Sequence, residues 1–241
     1  MYRCSGFSCS VEVDLLAMSI NNPDSSHELG GGDEVSSHRR LAWLPRVAVM
    51  TISLGLFGVL THCVLDRSVF PLDVAITHAV DRLASPGVTP IMRIVSFLGK
   101  PGLVVLTVVI AVWLWLRRRR LDSVTLFVGV VGAVGLNDLL KQLFARQPPG
   151  FAFVYDSEAP FSFPSGHVTA ATAFYGLIGY RLWQSGHRGW GSVFFLWILA
   201  VAVSRIYLGT HYPSDTVGSL LIGIPWLLAA ALARESLSLR G

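Results

Sequence analysis

An all-α bundle of six membrane-spanning helices is the fold class this sequence predicts, on three observations. Of 241 residues, 52% are hydrophobic and 14% are charged, with a mean hydropathy of +0.56. Soluble domains carry roughly 25% charged residues, so the deficit places the chain in the membrane class. Six apolar segments follow a polar start, most of them near the roughly 20 residues that cross a bilayer at about 1.5 Å per residue. Arginines gather at alternate ends of these segments, the signature of a multi-pass chain obeying the positive-inside rule.

Residues 1–40 are polar, rich in Ser and Gly and mixed in charge, and include Gly30-Gly31-Gly32. They are expected to form a disordered cytoplasmic tail, leaving 41–241 as the membrane-embedded domain. The first apolar run starts only near Val47, so no cleavable signal pattern is present. The expected spans are Val47–Leu65, Leu103–Leu116, Val124–Leu140, Val168–Trp183, Trp190–Leu208 and Thr216–Leu232. The second is short and is expected to extend upstream through Ile94–Gly99, despite Lys100 and Pro101. Between spans one and two, Val74, Ile76, Ala79, Val80 and Leu83 are spaced for an amphipathic helix over Leu72–Leu83 lying in the interface. Gly129, Gly132 and Gly135 recur every third residue in the third span, which suits close helix packing.

Arg39, Arg40 and Arg46 precede the first span, Arg117–Arg120 follow the second, Arg181 and Arg188 flank the fourth loop, and Arg234 follows the sixth span. An even number of crossings puts all four groups on one side, the cytoplasmic one. The four-arginine run reads as a membrane-flanking anchor, and no nucleic-acid partner is expected. Cys4, Cys9 and Cys63 form no CxxC or Cys/His spacing, which argues against redox or zinc chemistry.

On the opposite side, three polar stretches meet apolar helix ends: Lys141 to Arg146, Pro164-Ser165-Gly166-His167, and Ser204-Arg205 with His211 and Asp215. A phosphate ester is a dense anion that needs fixed positive charge and several N–H donors. Lys141 and Arg205 offer the charge. Arg205 closely follows an apolar run, where a charge is costly unless it faces a polar cavity. Ser165 can cap the following helix, Gly166 lets the backbone approach a ligand, and exposed N–H groups favour an anion. His211 and Asp215 are four apart at a helix start marked by Pro213, so they share a face. A carboxylate on one imidazole nitrogen fixes the tautomer and frees the other nitrogen for attack on phosphorus. His167, at a helix end, can protonate a leaving oxygen. His-x3-Asp could also ligate a metal, but a cation site would not be ringed by Lys141 and Arg205, so no metal and no cofactor are expected. Asn137 and Asp138 lie one turn before Lys141 and are expected to support it.

With these residues the chain resembles the type-2 phosphatidic acid phosphatases, relatives of the vanadium haloperoxidases. The family's P-S-G-H motif is intact at Pro164–His167, and its S-R-x5-H-x3-D motif is intact at Ser204, Arg205, His211 and Asp215. The likeness covers about residues 45 to 235. The first motif, K-x6-R-P, is met by Lys141 and Pro149, but Pro148 stands in the arginine position. The resemblance implies a phosphohistidine on His211, with Asp215 orienting it and His167 serving as acid, then base. It implies a phosphate cradle of Lys141, Ser165, Gly166 and Arg205, with Arg146 as a substitute cation. It also implies an integral membrane lipid phosphatase of a bacterial inner membrane, with its site facing the periplasm or exterior. The expected substrates are lipid phosphates or diphosphates of the undecaprenyl diphosphate, phosphatidylglycerol phosphate or phosphatidic acid class. A lipid phosphotransferase using the same intermediate, or a non-catalytic phosphate-binding membrane protein, are the alternatives. Nothing in the sequence fixes an oligomeric state.

Overall fold

The computed structural model describes residues 43–149 and 160–239. The expected tail over 1–40 lies outside them. Among the described residues the chain is all-helical, with eight helices: α1 (Leu44–Leu65), α2 (Phe70–Asp81), α3 (Val88–Phe97), α4 (Pro101–Leu116), α5 (Arg120–Phe144), α6 (Gly166–Gln184), α7 (Arg188–Tyr207) and α8 (Pro213–Ser238).

Helix boundaries follow local chemistry. Prolines open α1, α2, α4 and α8 within their first two positions, where a missing N–H costs nothing. Asp215 closes a capping box on α8, its Oδ2 accepting from the Tyr212 amide at 2.9 Å. Ala145 ends α5 with φ +45°, a left-handed cap.

Among the described residues, four helices are long and apolar enough to cross a membrane: α1, α5, α7 and α8. The pair α3 and α4 makes a fifth candidate, bent by 42°. The upstream extension of the second span is therefore a separate helix, because Pro101 breaks the ladder. α6 falls short of the apolarity of a span for a physical reason. From Val168 to Leu177 every residue is buried, so its surroundings are other helices, and Ala, Thr and Gly serve better there than Leu.

α6 packs most extensively against α7 and also lies against α5 and α8, while α1 packs along α8. Apolar side chains gain little by leaving lipid for one another, so association rests on close approach and on hydrogen bonds between helices. A Cβ on Gly132 would stand 2.4 Å from the Trp226 ring, and the Trp226 indole donates to the Gly129 carbonyl at 2.7 Å. A Cβ on Gly129 would likewise lie 2.9 Å from Leu177 Cδ1, but one on Gly135 would face open space, so close packing explains two of the three glycines.

α2 turns its polar side inward. Asp73 and Thr77 are buried, while Leu72 and Ile76 are exposed. At the far end of the bundle the basic groups assemble on acidic partners. Asp122 holds Arg119 at 2.8 Å, Arg234 at 2.5 Å and Arg181 at 4.0 Å. Glu235 pairs with Arg46 and accepts from Gln184 at 2.9 Å. Arg46 in the first turn of α1, Arg119 between α4 and α5, Arg181 near the end of α6 and Arg234 near the end of α8 thus share one end; Arg39 and Arg40 lie outside the described residues.

Candidate active site

The opposite end is organised around the segment entering α6. Asn137 of α5 donates from Nδ2 to the Pro164 carbonyl at 3.2 Å and to Thr169 Oγ1 at 3.1 Å. The Ser165 amide donates to the Asp215 carbonyl at 3.2 Å, and Ser219 Oγ donates to the Ser165 carbonyl at 3.0 Å. Lys141 Nζ donates to the Phe161 carbonyl at 2.7 Å. The Pro164–His167 turn is thereby tied to α5 on one side and to α8 on the other. Asn137 acts on this turn; Asp138 makes no ion pair with Lys141 among the described residues.

The turn leaves polar groups waiting. Ser165 Oγ and Asn137 Oδ1 are buried with no hydrogen-bond partner among the described residues, a costly state unless something occupies the site. Gly166 admits no side chain comfortably, since a Cβ there would lie 3.1 Å from Asn137 Oδ1 and 3.4 Å from Lys100 Nζ. The first amides of α6 lie beside these groups, at the helix end whose dipole favours an anion.

The cations and histidines converge on this turn. Arg205, 3% exposed, ends α7 and donates from Nη1 to Ser96 Oγ of α3. His167 lies within charge-interaction range of Arg205, His211, Lys100 and Lys141. His211 sits in the corner between α7 and α8, with Nδ1 3.4 Å from Asp215 Oδ2. This is slightly longer than a formed hydrogen bond, and it leaves Nε2 as the nitrogen not facing the carboxylate. Burial pushes the His211 imidazole down to about 4, while Asp215 pulls the other way. The ring is therefore neutral at physiological pH, the form a nucleophile requires.

Arg146 has a different setting from the one expected of a phosphate cation. Its Nη1 donates to Asp215 Oδ1 at 2.5 Å and to Ser214 Oγ at 2.7 Å, and its Nη2 donates to Asp73 Oδ2 at 2.7 Å. The guanidinium also lies 4.5 Å from the centre of the Tyr212 ring. Asp73 in turn accepts from the Ser214 amide at 2.9 Å and the Ser214 hydroxyl at 2.5 Å. Of the eight residues expected at the site, seven gather around the α6 turn, and Arg146 stands behind Asp215.

Sequence reasoning missed Asp73, Ser96, Lys100 and Ser214. A single charge inside the apolar stretch Phe70–Val80 was the available signal for Asp73. Lys100, flanked by Gly99 and Pro101 in an otherwise apolar region, carried a similar one.

Fold and site together define an integral membrane helical protein with cations and histidines gathered at one end of its bundle. Comparison with known proteins agrees. The PAP2 superfamily model matches residues 122–237. Phosphatidylglycerophosphatase B of Bacillus subtilis is 30% identical over 186 residues, spanning 72% of this chain and 89% of that protein. The undecaprenyl-diphosphatase BcrC of the same organism is 32% identical over 123 residues, spanning 48% of this chain and 61% of that one. The crystal structure of a transmembrane PAP2-type phosphatidylglycerolphosphate phosphatase from Bacillus subtilis superposes with a TM-score of 0.72 at 26% identity, covering 78% of this chain and 96% of that chain. The chain belongs to the PAP2 superfamily and is a phosphatase of that family.

Proposed function

We propose that this protein removes phosphate from a membrane lipid phosphate or diphosphate through a phosphohistidine on His211, without a metal. The observation that carries this is the pairing of a neutral His211, backed by Asp215, with a turn whose Ser165 hydroxyl is buried and unmatched.

In this reading the phosphoryl oxygens rest on Lys141, Arg205, Ser165 Oγ and the amides at Gly166. His211 Nε2 attacks phosphorus in line, the bond to the lipid oxygen breaks, and His167 delivers a proton to that oxygen. Asp215 stabilises the imidazolium that forms. Water then attacks the phosphohistidine, His167 takes the water's proton, and inorganic phosphate leaves with His211 restored. Arg146 acts through Asp215 rather than on the phosphate.

A lipid diphosphate of the undecaprenyl class is the leading substrate, supported by the relative named as undecaprenyl-diphosphatase; the relative named as phosphatidylglycerophosphatase supports a lipid monophosphate of the phosphatidylglycerol phosphate class. In this reading α3 and α4 are one broken span and α6 is a buried one, and the positive-inside rule over six crossings supports a cytoplasmic basic end and a site at the outer face. α2 then lies along that face with its apolar side toward lipid.

The test is phosphate release by the purified protein from a panel of lipid phosphates and diphosphates, beside His211→Ala. Release by the wild type that vanishes in the variant supports the reading. Equal release by both would overturn the phosphohistidine, and release that is as fast from a water-soluble phosphate ester assayed alongside would overturn the substrate class.

A further inference from the structure

The corner between α3 and α4 packs against the site residues at the α6 turn. Ser96 accepts from Arg205, and a Cβ on Gly99 would lie 3.5 Å from His167 Cβ. Pro101 opens α4 and the chain turns by 42° there, so Lys100 leaves the corner with its ammonium 3.4 Å from the Cβ position of Gly166. Lys100 shares charge interactions with Lys141 and His167. Among the described residues no hydrogen bond or ion pair engages its ammonium. Asp215 has both oxygens occupied already, by Arg146 and by the Tyr212 amide.

Like charges gathered in a largely buried pocket repel one another unless an anion lies between them. The pocket also lacks one cation. Pro148 stands where an arginine is expected, and Arg146 is taken up by Asp73, Ser214 and Asp215. We propose that Lys100 is a phosphate ligand of the cradle, supplying from the α3–α4 corner the positive charge that Pro148 cannot supply from the loop after α5. The inference rests on the phosphate-binding reading above. It deepens it by assigning a cation that arrives from a different helix pair and meets the anion on the Gly166 side. An ammonium is a point charge with three rotatable donors, so it can follow the phosphoryl group as its geometry changes from tetrahedral to five-coordinate.

The experiment uses the full chain purified in detergent, comparing wild type with Lys100→Met, Lys100→Arg and His211→Ala. Phosphate release from a lipid diphosphate and inhibition by orthovanadate are both read. Loss of a charge-assisted contact to the anion lowers kcat/KM roughly 10- to 100-fold. The orthovanadate concentration for half inhibition is expected to rise by a similar factor, and Lys100→Arg to keep most of both. Unchanged kinetics in Lys100→Met would overturn the assignment. So would a loss of rate with orthovanadate inhibition intact, because that pattern belongs to a residue that only shapes the corner. If Lys100→Met does not fold, Lys100→Gln carries the same comparison. Failure of the underlying reading looks different: an inert wild type, or a His211→Ala variant that still turns over.

Discussion

Arg146 Nη1 lies 2.5 Å from Oδ1 of Asp215, joining the loop after α5 to the first turn of α8. The other oxygen of Asp215 faces His211, so the guanidinium and the imidazole grip one carboxylate from two sides. A residue 11% exposed at its side chain and bound to two carboxylates has little freedom to swing onto a ligand. Arg146→Ala leaves Asp73 and Asp215 facing each other without the cation that joined them, and breaking such a buried pair typically costs about 3–5 kcal/mol of stability. The expected result is a lower melting temperature and a kcat reduced by about one to two orders of magnitude. Orthovanadate inhibition should be nearly unchanged, in contrast to the Lys100 variant. Arg146→Lys recovers part of the loss, since one ammonium cannot reproduce the fork. A large weakening of orthovanadate inhibition in Arg146→Ala would place the guanidinium on the phosphate instead.

Asp73 extends the same prediction to α2. Asp73→Asn keeps the shape but removes the charge opposite Arg146 and weakens the bonds from Ser214. Turnover should fall roughly tenfold with the bundle intact, because the charged hydrogen bonds it loses are each worth about 1.5–3 kcal/mol. Wild-type turnover in this variant would confine Asp73 to holding α2 in place.

His211→Ala is expected to abolish turnover while the protein remains inserted and folded. His167→Ala should be severe for a monoester and milder for a diphosphate, whose leaving group needs less help from an acid. Equal losses on both substrates would remove His167 from the general-acid role.

The pH dependence follows from the burial of His211. In the proposed mechanism its neutral form attacks, and its pKa is lowered to about 4, so the neutral fraction grows as pH rises through 4 and is nearly complete by pH 6. The acid limb of kcat/KM contributed by His211 should therefore fall near pH 4, not near the ordinary histidine value of about 6.5. A profile in which the limb moves toward 6.5 on substituting Asp215 would contradict burial as the dominant cause, because Asp215 pulls the value upward. Chelator should leave activity intact; full loss restored by magnesium or zinc would contradict the metal-free mechanism.

Orientation can be read with thiol labelling in a background lacking Cys4, Cys9 and Cys63. Ser68 is exposed between α1 and α2, and Arg118 is exposed between α4 and α5. A cysteine at Ser68 should react with an impermeant reagent from outside intact cells, and one at Arg118 only after lysis. The reverse pattern would place the chemistry on the inner face.

The parts of the site legible in the sequence are those whose geometry is local. His211 and Asp215 are one helical turn apart, and Ser165, Gly166 and His167 are consecutive, so spacing alone carries their relationship. Asp73 bonds the Ser214 amide across 141 positions of sequence, and Lys100 meets Gly166 through the packing of a bent helix pair. No periodicity encodes such meetings. The apolar segments that became α1 and α4 to α8 were visible as hydropathy, the one that became α6 least strongly. α6 shows why that signal fades: a helix wrapped by other helices is selected for small size rather than for affinity to lipid. The break at Pro101 was underestimated because the apolar residues continue on both sides of it.

The enclosure of α6 also sets how the chain should tolerate change. Gly176 already has Leu227 at 3.0 Å from its Cβ position, and Thr172 occupies the space that a side chain on Gly223 would need, 2.8 Å away. An added methyl on these surfaces pushes a neighbouring helix and, through α8, shifts the first turn that carries Asp215. On α1, by contrast, Ile52 and Val59 are 62% and 63% exposed, and any apolar side chain serves them equally. A saturation library scored for activity should thus be limited by volume along α6 and by polarity along the outer side of α1, two distinct grammars of substitution within one bundle.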